Sequence, residues 1–378
     1  MNLIFVMMDG ARMDRITKGK NYKNLISKSV FFSKCIAYAP FTIAAMHAIF
    51  SGEYGTKTGV DSYFSSSKFK KDKFKTLTSY LHDIGYYTHA DVINKLVIPK
   101  IGFDEFVVHD ELNDDLTEKH LALINQMKKI NDSGKNFFLY LHYSNIHTGI
   151  MNEVLKKYNN FSKEYYENKE KNEKFYDKLF ENADNYLGKI IERCEELKLM
   201  ENSLIVVISD HGISTGEKFG ERAYGVFCYD YTLNASALFF HQSLSPIHYK
   251  KQIRSIDILP TILDFFKIPC DTSYNFIEGK SLLSLFNGSS DSRIAFSQSG
   301  NPLNNERPPE KPNVWAIRTD DWKYIKNIHD GSEELYNLID DPREEKNLIH
   351  KEGQIANELR KELEKHTFSE IIQNESLT

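Results

Sequence analysis

In two stretches, residues 2–8 and residues 203–208, the chain is apolar without interruption after a polar first residue. A strand with one wet face alternates polar and apolar positions. An unbroken run rich in β-branched residues instead predicts a strand buried on both faces, as in the parallel sheets of α/β proteins. Each run stops at a carboxylate: the first at Asp9-Gly10, the second at Ser209-Asp210-His211-Gly212. A third strand is predicted over residues 135–141, and it is followed by His142 and, five positions on, His147. In open α/β sheets the carboxyl ends of the strands are where ligands sit. Three strand endings therefore carry two carboxylates and three imidazoles toward one sheet edge.

Elsewhere the spacing turns helical. Residues 22–32 read as a helix followed by a short strand. Residues 42–51 form a run of good helix formers that stops at Gly52. Apolar positions at 74, 77, 80 and 81 predict a helix closed by Gly85, then a strand over 86–93 and a turn over 102–106. An amphipathic helix is expected over 116–130 and a long helix over 175–199. Residues 152–174, dense in Lys, Glu, Asn and Tyr, read as a solvated helical lid or insertion, and residues 216–220 as a flexible loop over the site. A strand over 235–240 and a helix over 256–266 follow. Residues 286–313 form a long connection directed toward the strand ends. A hairpin is expected from 314–318 and 322–328 around Thr319-Asp320-Asp321. It is too short to hold its own core and should pack on the main domain. The tail over 354–378 reads as a charged, mostly solvated helix.

Chemistry enters at the strand ends. Asp210 beside His211 offers a hard oxygen and an imidazole nitrogen, a pair suited to a divalent metal. The same two residues can simply cap the next element. Asp9 supplies a second carboxylate at the same edge. Thr42 has two readings: the N-cap of its helix, or a nucleophile held at the positive helix end near a metal. A single histidine after the third strand would be structural, whereas His142 and His147 together point to function.

Composition narrows the setting. The 378 residues, 41% hydrophobic, suffice for one large α/β core and a smaller second piece. The expected division is a catalytic domain over 1–285 and a C-terminal subdomain over 286–378. Net charge is −5 with both signs interspersed, which argues against a nucleic-acid surface. Four scattered cysteines suggest neither a zinc cluster nor a disulfide framework. No run approaches the roughly 20 apolar residues of a membrane span. With no leader before the first strand, and Met1 taken as the native start, the expected location is cytoplasmic.

Over almost its full length the chain resembles the sulfatase branch of the alkaline-phosphatase superfamily. The landmarks run in the family's order: Met8-Asp9-Gly10-Ala11-Arg12; Ser51-Gly52-Glu53-Tyr54; Thr76-Leu77 through Gly85-Tyr86-Tyr87-Thr88; Gly102-Phe103-Asp104; Ser209-Asp210-His211-Gly212 with Gly216-Glu217; Asp257-Ile258-Leu259-Pro260-Thr261; and Glu334-Leu335-Tyr336-Asn337-Leu338 with Asp341-Pro342. The resemblance implies an α/β fold with a central, largely parallel mixed sheet flanked by helices and a smaller C-terminal α+β subdomain.

The departures from the family pattern direct the chemistry. Sulfatases proper carry Cys or Ser, converted to formylglycine, ten residues before the glycine that closes this helix. That position is Thr42, and threonine cannot be oxidised to the aldehyde. Met46 stands where an arginine is expected, and Gly10 where a second aspartate is. The pattern is similar to the superfamily's phosphodiesterases and phospho-group transferases, which form a covalent phospho-threonine. By that resemblance Asp9, Thr42, Asp210 and His211 hold one divalent ion, with Mn, Zn, Mg and Ca all compatible. A histidine needed for a second metal falls near Tyr224. His147, then His142, are the candidates to protonate the leaving group, and Lys95, Arg12 and Lys218 to bind the anionic substrate. The expected partner is a small-molecule or glycan phosphoester, with the oligomeric state open. The alternatives are a sulfate-ester hydrolase that works without formylglycine and a non-catalytic sulfatase-like binding protein.

Overall fold

The apolar runs fold as their patterning requires. The computed structural model describes residues 1–286, 291–303 and 307–375, with side chains to residue 367. Its main sheet contains β1 (Asn2–Met8), β2 (Val30–Ile36), β3 (Tyr87–Val92), β4 (Glu105–Val108), β5 (Phe137–Tyr143), β6 (Ser203–Ile208), β7 (Asn234–Phe240), β8 (Ile247–Tyr249) and β9 (Ile253–Arg254). The order is β4-β3-β5-β1-β6-β7-β2-β8, with β9 beside β2. Pairing is parallel from β4 through β6, while β7 runs antiparallel to both β6 and β2.

β1 sits at the centre and shows why the run has no polar break. Ile4, Val6 and Met8 enter a core shared with the helices Leu116–Asp132 and Lys169–Glu196. Leu3, Phe5 and Met7 enter the opposite core, with the helices Thr42–Ser51 and Ile258–Phe265. Side chains alternate across a strand, so a helix layer on each face claims every position. Each full burial is worth about 1.5–3 kcal/mol.

The second sheet is antiparallel in chain order: β10 (Ala295–Ser299), β11 (Val314–Arg318), β12 (Trp322–Asn327) and β13 (Glu333–Asn337). The expected hairpin is β11–β12. It packs on the main domain, with Val314, Ala316 and Ile325 against Ala37, Cys228 and Leu233.

Several expectations need correction. β4 begins inside the predicted turn, because an edge strand with half-exposed positions lacks an apolar signature. β10 lies within the predicted connection 286–313, and it runs beside Ala37 and Tyr38 through bonds from Ser297 and Gln298. Parts of that connection and of the tail, residues 287–290, 304–306 and 376–378, lie outside the described residues. The tail helix Gly353–Glu375 is not mostly solvated, since Ala356, Leu359 and Leu363 pack on Ile317, Tyr324 and Leu335. Nor is 152–174 a free lid: Val154 and Tyr165 are buried in the core. The loop 216–220 is pinned rather than loose, by Glu217 on Arg12 and by Gly220 N–H donating to Tyr166 Oη. Among the described residues, no helix is long and apolar enough to cross a membrane.

Candidate metal centre

Parallel register brings the strand ends together. Met7 lies opposite His142 of β5 and Ile208 of β6, so the residues just beyond β1 and β6 emerge side by side. Asp9 follows β1 and is fixed by its N–H to Tyr143 O at 3.1 Å. The chain then turns at Gly10, whose φ of +72° is costly for a side-chain-bearing residue. Gly10 N–H donates to Asp210 Oδ1 at 3.2 Å, tying the two strand ends together.

Asp9, Asp210 and His211 are buried, and their ligating atoms lie within 4.8 Å of one another. His211 Nε2 is 3.4 Å from Asp210 Oδ2 and 3.7 Å from Asp9 Oδ1. Neither of those oxygens accepts a hydrogen bond. His211 Nδ1 is 2.8 Å from Gly212 O, a partner that can only accept, so Nδ1 carries the proton. The Nε2 lone pair therefore faces two buried carboxylate oxygens. Such a set of acceptors without a donor is what a cation satisfies, and a second ring nitrogen held by a carbonyl is the usual support of a ligating histidine. The residues fit a divalent ion.

The carboxylates have opposite tendencies. Burial opposes ionisation of Asp9, yet His147 and His142 hold its carboxyl below the usual range. Burial, reinforced by repulsion from Asp9, pushes Asp210 up. Without a cation, a charge on Asp9 is favoured over one on Asp210.

Thr42 lies at the rim. Phe41, not Thr42, occupies the N-cap position, and no side chain caps the helix. The Thr42 hydroxyl instead lies 3.4 Å from Asp9 Oδ2 and 3.3 Å from His211 Nε2. His142 is inside β5, fully buried, with Nε2 3.1 Å from Asp9 Oδ2. His147, on the short helix Asn145–Ile150, is partly exposed, with Nδ1 3.8 Å from the same oxygen. Six of the sequence-predicted residues therefore converge.

Three do not. Arg12 is buried and saturated: it meets Glu217 Oε1 at 2.6 Å, Ile213 O at 2.7 Å and Asp14 Oδ1 at 3.0 Å. Lys218 donates to Glu344 O and lies over the rings of Tyr229 and Tyr336. Lys95 is exposed after β3, with no hydrogen bond or ion pair among the described residues. None of the three contacts the cluster. Tyr224 does: its hydroxyl is 3.2 Å from His147 Nδ1, and its ring centroid is 5.0 Å from that of His211. The sequence offered Tyr224 only as the place of a missing histidine, because one tyrosine among 21 carries no signal of its own.

Glu221 organises the segment that carries Tyr224. Its carboxylate accepts from Val226 N, Phe227 N and Tyr231 Oη at 2.6–3.0 Å. Burial nevertheless pushes it up from 4.5 to about 7. A carboxyl raised in this way holds its proton longer in the folded state. Its stabilisation is complete below its unfolded value and is lost as pH rises through its folded one. Glu221→Gln keeps the acceptor oxygen and removes the titration. Between pH 4.5 and 8, wild-type unfolding free energy should fall more than the variant's, by up to about 3 kcal/mol. Parallel urea-unfolding curves at each pH would rule this out.

Comparison with known proteins agrees with the geometry. The family model described as Sulfatase matches residues 1–268, and that of the N-sulphoglucosamine sulphohydrolase C-terminal region matches residues 239–369. Arylsulfatase K of Canis lupus familiaris is 26% identical over 203 residues, 50% of this chain and 36% of that protein. The chain thus spans about a third of that relative's length. A protein solved in complex with its substrate D-glucosamine-2-N,6-O-disulfate superposes with a TM-score of 0.74 at 17% identity, covering 98% of both chains. The phosphonate monoester hydrolase of Silicibacter pomeroyi superposes with a TM-score of 0.75 at 15% identity, covering 99% of this chain and 95% of that one. At such identities the two structures establish a shared fold.

Proposed function

The chain belongs to the sulfatase family, and from that premise we propose that it is a metal-dependent hydrolase or transferase of phosphoesters, above all phosphodiesters. It would act through a covalent phospho-threonine at Thr42. The observation that carries this reading is the Thr42 hydroxyl, 3.4 Å from Asp9 Oδ2 and 3.3 Å from His211 Nε2 and engaged in no helix cap.

A divalent cation held by Asp9, Asp210, His211 and Thr42 would lower the pKa of the hydroxyl and offset charge on the phosphoryl oxygens. With its proton passed to solvent, Thr42 Oγ1 attacks phosphorus; the new O–P bond forms as the bond to the leaving oxygen breaks, and Thr42 regains a proton from solvent at the end of the cycle. His147 gives the leaving oxygen its proton. Its Nδ1 is engaged by Tyr224, so Nε2 is the donating atom. Water or an acceptor alcohol then attacks phosphorus, His147 takes its proton, and the Thr42–phosphorus bond breaks. His142, fully buried on Asp9 Oδ2, orients that carboxylate. The domain division at about residue 285 is retained as part of this reading.

A second reading, sulfate-ester hydrolysis without formylglycine, is favoured by the names of the relatives. It is disfavoured by chemistry, since an aldehyde hydrate expels sulfate by collapsing to the aldehyde and a threonine sulfate ester has no such route. Chelator-stripped protein reloaded with Mn, Zn, Mg or Ca separates the two on p-nitrophenyl phosphodiester, phosphomonoester and sulfate. The proposal expects the phosphodiester to turn over fastest and the phosphoryl group, still carrying its second ester substituent, to be recovered on Thr42 after acid quench. Fastest turnover of the sulfate ester would reverse the assignment.

A further inference from the structure

A second polar cluster lies behind the first. Asp91 in β3, His109 just after β4 and His120 in the helix Leu116–Asp132 are all buried, and their ligating atoms lie within 4.8 Å of one another. We propose that these three residues form a further metal site, of the zinc class, distinct from the Asp9–Asp210–His211 centre and independent of the reaction assigned above.

Both imidazoles aim at one oxygen. His109 Nδ1 is 2.5 Å and His120 Nε2 3.2 Å from Asp91 Oδ1. Their other nitrogens meet hydroxyls, His109 Nε2 with Ser144 Oγ at 2.9 Å and His120 Nδ1 with Tyr186 Oη at 2.6 Å. This is the outer support that ligating histidines carry. Asp91 Oδ2 is buried and accepts no hydrogen bond. Its nearest cation, Lys119 Nζ, stands 3.4 Å away and is shared with Asp114 at 2.7 Å. A carboxylate placed between two imidazoles, its other oxygen met only by a shared ammonium at 3.4 Å, is an interior arrangement that a dication completes.

The donor set chooses the metal class. Two imidazole nitrogens and one carboxylate oxygen suit zinc and its neighbours, whereas Mg and Ca prefer oxygen. Zinc bonds of 2.0–2.2 Å in a tetrahedron place donors about 3.3 Å apart. His120 and Asp91 already have that spacing, and His109 must draw back from Asp91 Oδ1 by less than about 1 Å. Both histidines then bind through lone pairs. The protons on His109 Nδ1 and His120 Nε2 move to the opposite ring nitrogens, where Ser144 and Tyr186 become acceptors. Lys119 has a second carboxylate partner, Asp114, at 2.7 Å.

The test counts metal rather than activity. Asp210→Ala removes the first centre and leaves this one. Zinc titration with elemental analysis should give two equivalents for the wild type, one for Asp210→Ala and none for Asp210→Ala/His120→Gln. Cobalt added to Asp210→Ala should produce the visible absorption of a four-coordinate ion. Lys119 is partly exposed, so Lys119→Ala does not endanger the fold. Losing the competing ammonium, it should bind zinc about tenfold more tightly in the Asp210→Ala background. If Asp210→Ala binds no zinc, or if neither Lys119→Ala nor His120→Gln alters its binding, the cluster is a metal-free hydrogen-bonded network and the proposal is wrong.

Discussion

Thr42→Ala is expected to lower kcat on a phosphodiester by on the order of 10³- to 10⁶-fold, the range seen when a nucleophile working within a unit is removed. The protein should stay folded. Thr42 caps nothing, and its contacts with Asp9 and His211, at 3.4 and 3.3 Å, are long. Their loss should cost no more than about 1 kcal/mol. Helix propensity moves in the opposite direction, because alanine is the better helix former. Thr42→Ser should retain part of the activity. The comparison needs kcat at saturating metal, the melting temperature and the metal content of each variant. A folded, metal-loaded alanine variant with near-normal turnover would move the nucleophile elsewhere.

Asp210→Ala should lose the metal and bring activity to background. The diagnostic is a sign, not only a loss. Metal bound to the folded state stabilises it by RT ln(1 + [L]/Kd), about 2.7 kcal/mol at a hundredfold excess over Kd. Mg²⁺ or Ca²⁺ should therefore raise the melting temperature of the wild type and leave the variant unmoved. Without metal the order should narrow or invert, because burial and Asp9 already penalise the Asp210 charge and the variant removes that penalty. Chelator-treated wild type should behave kinetically like the variant. A variant that keeps both its metal-dependent melting shift and its turnover would exclude Asp210 as a ligand.

Much of this arrangement was legible before any coordinates. Unbroken apolar runs specify strands covered on both faces, and parallel strands in one sheet deliver their ends to one edge. Asp9, Asp210 and His211 meet for that reason. Thr42 joins them because the helix it begins packs on the same core. What the sequence hid is direction. Arg12 lies three residues past Asp9, but beyond the Gly10 turn its guanidinium serves Glu217. Lys95 follows a strand that lies two strands away from β1, so its place at a strand end did not put it at the cluster. β4 was missed because an edge strand needs no continuous apolar face, and β10 because its buried Ser297, Gln298 and Ser299 are polar. The Asp91–His109–His120 cluster draws on three separate elements, and no local spacing announces it.

The central place of β1 also sets a clock. Leu3 pairs with Phe138 on one side and with Leu204 on the other. At a synthesis rate of about 5–20 residues per second, its first neighbour leaves the ribosome roughly 7–27 s after it, and the second roughly 10–40 s after it. For that interval a strand with six consecutive apolar residues has neither neighbour to pair with. Slowing translation between residues 9 and 137 should therefore lower the yield of native protein, and a chaperone that shields the nascent strand should restore it. Slowing translation after residue 208, when both neighbours exist, should matter far less.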